Sequence, residues 1–253
     1  MGDVLLVVCG GGANATVRNA EDLIRTPMVI ISNSEATVPL DDEQSLMNTM
    51  KRYRVVIPFC VLGGELSTDK IRTVVRCARE NGCKVVPVLG LPFEWEIERR
   101  QRAMDNLSDV VALSDCSLVF DLQKITDLYM SNQSRKVDES IKMANRLVMM
   151  SMNAVIDCIE GPFFSTFSRK LYAFASNSAV LPTDAIKDAW GMMLFDKEPS
   201  DQNSVILVGS KVTSAEIEDI KSSVAMTCGA VPEVMRRRDG DSRVDVFKPV
   251  KSF

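Results

Sequence analysis

Two short segments carry the residue types best suited to chemistry: Cys9-Gly10-Gly11-Gly12-Ala13-Asn14-Ala15 and Leu62-Gly63-Gly64-Glu65-Leu66-Ser67-Thr68. In each, a buried-looking apolar run ends in glycines and a helical pattern begins. Glycine lets the backbone turn tightly and approach a phosphate, and the helix N-terminus that follows offers free N–H groups and positive potential. One such loop is often only a turn. Two on the same edge of one sheet point to phosphate binding. No Gly-Lys-Ser/Thr follows either loop, so neither is a Walker-type site. The first also lacks the later glycine of a dinucleotide fingerprint, so a flavodoxin-like or dinucleotide enzyme needs a different spacing.

The chain has no histidine, which removes Ser-His, Cys-His and His-metal arrangements. Its seven cysteines form no CxxC pair and mostly sit in apolar runs, as in Val7-Val8-Cys9 and Pro58-Phe59-Cys60. They read as reduced core thiols of a cytoplasmic protein. The net charge of −4 argues against a general affinity for nucleic acid. No apolar run approaches the roughly 18–20 residues of a membrane span. The N-terminus opens directly on a core strand, so no signal peptide is expected.

The elements that must position the two loops follow from periodicity. Residues 4–9, 27–31, 54–62, 83–89 and 116–121 are short apolar, β-rich runs, predicted as strands. Between them, helices are predicted over 13–24, 41–52, 68–80 and 94–109. Ile71, Val74, Val75 and Ala78 give the third its apolar face. Regular alternation of strand and helix implies an α/β fold, a parallel sheet with helices on both faces, and right-handed crossovers that put the glycine loops on its carboxyl edge. The longest helical pattern, 137–158, is apolar over most of its circumference and should be central, stopping at Glu160-Gly161-Pro162. Beyond it come a helix near 183–194, a strand at 204–209, a helix at 214–227, and a hairpin pairing 231–237 with 244–250 around Asp239-Gly240-Asp241. The run Arg236-Arg237-Arg238 reads as a solvated strand end.

These motifs, taken in order, resemble the FtsZ/tubulin superfamily, as a divergent, archaeal-type FtsZ-like protein. The first glycine run with its Asn-Ala pair is similar to the first nucleotide loop of FtsZ. The second loop stands in the place of the family's GGGTGTG signature. Leu91-Pro92-Phe93-Glu94-Trp95-Glu96 resembles its KPFxFE segment, and Phe120-Asp121-Leu122-Gln123-Lys124-Ile125 stands where the family has NDxL. The resemblance implies a Rossmann-like nucleotide domain over 1–136, a connecting helix over 137–160, and a smaller, reduced α+β domain over 161–253. It implies GTP or GDP as ligand, and admits Mg²⁺ with it. Gly10, Gly11, Gly12, Asn14, Gly63, Gly64, Ser67 and Thr68 would face the phosphates, with Glu96 and Arg100 near the ribose and phosphates. Asn33 would lie in the family's NTD-like loop. Asn145 would read guanine, because an amide can donate and accept at once. Ile141, one turn earlier, would pack on the base. Without the resemblance, Asn145 is simply a polar residue on a helix.

The chain departs from the family in its thinned second loop, in the short segment between its second and third strands, and after the central helix. Glu65 stands where the family has a threonine, and a carboxylate repels phosphate unless it turns away or holds Mg²⁺. Thr166 and Arg169 replace the two carboxylates that FtsZ presents to the neighbouring subunit's nucleotide, so no catalytic residue is assigned and hydrolysis is expected to be slow or absent. Head-to-tail homo-oligomers of the cytoskeletal or cell-division type are implied, with a nucleotide-free, non-polymerising scaffold as the alternative.

Overall fold

A computed structural model of the chain describes residues 2–31, 42–130, 137–158, 163–167, 171–179, 181–195 and 199–250. The first half alternates as predicted: β1 (Gly2–Cys9), α1 (Gly11–Arg18), a single 3-10 turn (Glu21–Leu23), β2 (Met28–Ile31), α2 (Glu43–Met50), β3 (Tyr53–Val61) and α3 (Glu65–Glu80). Next come β4 (Lys84–Val85), β5 (Val88–Leu91), α4 (Ile97–Ala112) and β6 (Ser117–Asp121). The single strand expected over 83–89 is thus two pieces, interrupted at Val86-Pro87, where proline cannot donate to a ladder. The helix α5 (Leu122–Met130) was not foreseen, because it follows β6 with no intervening turn residue.

The second half holds the central helix α6 (Val137–Cys158), α7 (Phe163–Thr166), β7 (Leu171–Ser178), α8 (Pro182–Gly191), β8 (Val205–Val208), α9 (Ser214–Cys228), β9 (Glu233–Arg236) and β10 (Arg243–Pro249). The strand β7, whose Ala-Phe-Ala-Ser centre lacks a β-branched run, was also missed. The predicted end of α6 at Glu160-Gly161-Pro162 lies outside the described residues.

Among the described residues, ten strands form one sheet in the order β2-β1-β3-β5-β6-β7-β10-β8-β9, with β4 beside β3. All run parallel except β10, which is antiparallel to both β7 and β8. The sheet continues from one half of the chain into the other because β6 pairs with β7, Leu118 opposite Tyr172. Strand alternation divides the core between the two faces. Val4, Leu6 and Val8 join α1, α5 and α6 on one side, whereas Leu5, Val7 and Cys9 join α2, α3 and α4 on the other. A third cluster packs α8 and α9 on the distal strands.

The expected hairpin is not formed. β9 pairs parallel with β8, Val205 opposite Glu233, and β10 lies on the other side of β8. The connection crosses the end of β8 at Gly209, where an added Cβ would stand 2.1 Å from the Asp241 carbonyl oxygen. Arg237 makes this crossing possible and corrects the reading of a solvated basic run. Its fully buried guanidinium pairs with Asp245, reaches Asp239 at 3.1 Å and donates to the Arg243 carbonyl at 2.7 Å. A buried charge of this kind is tolerated only when its donors are satisfied.

Candidate functional site

The two glycine loops leave adjacent strands at the same level, because Cys9 of β1 lies opposite Cys60 of β3 in a parallel ladder. Both loops therefore open on the carboxyl edge. Gly10 has φ +86° and Gly63 φ +84°, conformations that favour glycine. Each is also in close contact. A Cβ on Gly10 would stand 2.8 Å from Ser67 Cβ, and one on Gly63 would stand 2.1 Å from the Arg99 carbonyl oxygen. The first loop is packed against the second, and the second against α4. Gly11 differs from both: it is exposed, and nothing lies within 4 Å of its Cβ position. That open space above the start of α1 is where a ligand could approach the backbone. Gly10 and Gly64, the residues that precede α1 and α3, provide no side-chain cap for the helix N–H groups.

Ser67 and Thr68 turn inward. The Thr68 hydroxyl accepts from the Gly63 N–H at 3.1 Å, and Ser67 donates to the Val61 and Gly64 carbonyls at 3.3 and 3.2 Å. These hydroxyls hold the second loop in shape. Beside them, Glu96 precedes α4, accepts from the Phe93 N–H at 3.2 Å and pairs with Arg99 at 2.6 Å. Arg100 donates to the Pro92 carbonyl at 2.6 Å and forms a forked pair with Asp121, one arm at 3.0 Å. Asp121 in turn accepts the Gln123 N–H at 2.9 Å at the start of α5. The region that resembles KPFxFE and the one that resembles NDxL are thereby tied together.

On the other flank, α6 brings Asn145 to α1. The Thr16 hydroxyl lies 3.1 Å from the Asn145 carboxamide oxygen and 3.2 Å from the Gly12 carbonyl. Asn145 is 9% exposed, and Ile141, one turn earlier, is 41% exposed. Among the described residues, Thr16 is the one hydrogen-bond partner of this amide, which leaves its N–H groups open to a ligand beside an uncovered apolar side chain. Asn14 is buried within α1. The structure thus gathers Gly10, Gly11, Gly12, Asn14, Gly63, Gly64, Ser67 and Thr68 at paired strand ends, with Glu96 and Arg100 behind the second loop and Asn145 of α6 held against the first-loop helix. Asn33 and Arg169 lie outside the described residues. For Glu65 only the backbone, at the start of α3, is described.

Sequence reasoning missed Thr16, Arg99 and the pairing partner of Arg100. Thr16 sits one turn beyond the glycines, and nothing in its local spacing marks it. The cysteines beneath the loops are inert: burial pushes the Cys60 thiol up to about 12 and raises that of Cys9 as well. Among the described residues, no group of three acidic or thiol side chains could hold a metal ion, and no helix is long and apolar enough to cross a membrane.

No protein-family model matches the chain. An empty FtsZ dimer structure from M. jannaschii superposes with a TM-score of 0.74 at 15% identity, covering 99% of this chain and 88% of that one. The chain has an FtsZ/tubulin-like fold. CetZ from Methanosaeta thermophila gives a TM-score of 0.73 at 14% identity, covering 100% of this chain and 88% of that one. TubZ of Clostridium botulinum phage c-st gives 0.65 at 11%, covering 99% and 93%. In sequence, the cell division protein FtsZ 2 of Methanocaldococcus jannaschii is 25% identical over 117 residues, 46% of this chain and 30% of that relative. The sequence match therefore spans less than a third of the relative, while the fold match spans the whole of this chain.

Proposed function

We propose that this chain binds a guanine nucleotide between its two glycine loops and α6, and that it stacks head to tail with little or no GTP hydrolysis. The observation that carries the reading is the alignment of Gly10 and Gly63 at the ends of paired strands, with Asn145 hydrogen-bonded to the helix that the first loop opens. In this reading, backbone N–H groups at Gly11, Gly12 and Gly64 receive the phosphates, where the helix N-termini favour negative charge. Asn145 offers its amide to the base edge, and Ile141 covers the base face. Glu96 and Arg100 act mainly as positioning residues, through Arg99 and Asp121. GTP or GDP supplies the negative charge that these termini complement. Any Mg²⁺ would be held chiefly by the phosphates, since the described side chains do not form a cage. Thr166 and Arg169, in place of paired carboxylates, leave the attacking water without a base, so turnover is slow or absent. Cytoskeletal or cell-division work fits the FtsZ, CetZ and TubZ folds.

A second reading, a nucleotide-free scaffold, is favoured by one observation: Ser67, Thr68 and Arg100 already have partners inside the protein. Denaturing freshly purified protein and identifying released nucleotide by chromatography separates the two. Released GDP or GTP supports the first reading. No release, with no heat of binding on titrating GTP, favours the scaffold.

A further inference from the structure

The turn between β5 and α4 presents an unusual surface. Trp95 is 73% exposed and Ile97 is 76% exposed, two of the most uncovered large apolar side chains among the described residues. They are held in place. The Phe93 and Trp95 rings stack with centroids 5.6 Å apart and planes 11° from parallel. The turn is closed twice, by the Glu96 N–H to the Phe93 carbonyl at 3.1 Å and by the Phe93 N–H to the Glu96 carboxylate at 3.2 Å. A rigid aromatic side chain in solvent loses little entropy when covered, which is why such residues anchor interfaces. Exposed carboxylates at Glu94 and Glu98 flank the patch.

The opposite edge of the sheet has the complementary character. Lys51, Arg52 and Arg54 are exposed around the start of β3, and among the described residues only Arg54 of these approaches a carboxylate, Asp3 at 3.9 Å. β3 and β5 are parallel neighbours, Cys60 opposite Leu89. If a second copy stacks behind by translation along the strands, the amino end of its β3 meets the carboxyl end of β5 in the first. We propose that the Trp95–Ile97 turn docks on residues 51–54 of a second copy of this chain. The tryptophan and isoleucine are covered by the basic segment, a lysine or arginine lies over the indole face, and Glu94 and Glu98 meet the remaining cations. The contact is heterologous, so it propagates as an open chain. This inference rests on the head-to-tail reading above and names the surface that performs it.

The test is sedimentation velocity with saturating GTP on the wild type, Trp95→Lys, and the double variant Lys51→Glu/Arg52→Glu. All three substituted side chains are exposed, and circular dichroism checks that the fold is kept. The wild type should associate with rising concentration, and each variant should associate at least about tenfold more weakly. An equimolar mixture of the two variants, each keeping one intact face, should stop at a dimer. In a Trp190→Phe background, Trp95 emission should shift to the blue on association. Assembly of Trp95→Lys equal to wild type overturns the docking surface and leaves stacking by another contact. A wild type that stays monomeric removes the stacking reading and this surface together.

Discussion

Thr16 on α1 donates its hydroxyl to the carboxamide oxygen of Asn145 on α6 at 3.1 Å, joining two residues 129 positions apart in the chain. The bond fixes the amide that the proposed site uses to read a base, and it ties that amide to α1 at a hydroxyl that also reaches the Gly12 carbonyl. Removing either partner should therefore have separable effects. Asn145→Ala should weaken guanine-nucleotide binding by roughly 1–3 kcal/mol in calorimetry, with a smaller effect on folding. Thr16→Val leaves the buried amide oxygen without its donor and should lower stability by about 1–2 kcal/mol in a denaturant melt. Equal loss of affinity and stability in Asn145→Ala would mark it as a structural residue only.

The glycines of the two loops should separate structure from binding. Gly63→Ala forces a Cβ to within 2.1 Å of the Arg99 carbonyl at a positive φ, and should destabilise by at least about 3 kcal/mol. Gly11→Ala meets nothing within 4 Å and sits in helical backbone, so stability should hold or rise slightly. If phosphate approaches the start of α1, the same methyl should cost nucleotide affinity. Unchanged affinity in a stable Gly11→Ala protein would place any ligand elsewhere.

Asp157, near the end of α6, shows how acid should act on the fold. Burial, and then repulsion from Asp239, raises its carboxyl above the ordinary carboxylate value, despite Arg25 at 3.3 Å. A raised carboxyl binds its proton more tightly in the folded chain than in the unfolded one. Its ionisation therefore opposes folding: the contribution is most favourable below the unfolded value and is lost as pH rises through the folded one. Asp157→Asn should flatten thermal stability against pH just above the ordinary carboxylate range of about 4, and should not destabilise the protein at neutral pH. A large loss of stability in that variant at neutral pH would show that the Arg25 pair outweighs the desolvation.

Thiol chemistry should report the burial of the core. Six cysteines are buried and Cys228 alone is partly open, with burial raising every thiol. A colorimetric disulfide reagent should find one reactive thiol in native protein and seven after denaturation. Cys228→Ser should abolish the native signal.

The amino-acid sequence by itself determined the alternating α/β order of the first half, the extent of α6, and the position of both glycine loops. Each rests on local signals: β-branched runs for strands, helical spacing of apolar residues, and glycine where a strand must turn. Resemblance in motif order carried the fold further than any single motif could. Only the tertiary structure decided what distant residues do to one another. It turned Ser67 and Thr68 inward, paired Arg100 with Asp121, and brought Thr16 to Asn145. It also buried Arg237 against Asp245 and set β8 between the two strands that local turn chemistry would have paired. The physical reason is common to these cases. A hydrogen bond or ion pair between residues far apart leaves no periodicity in the sequence, and strand order is chosen by which crossover buries the most surface while satisfying every buried charge.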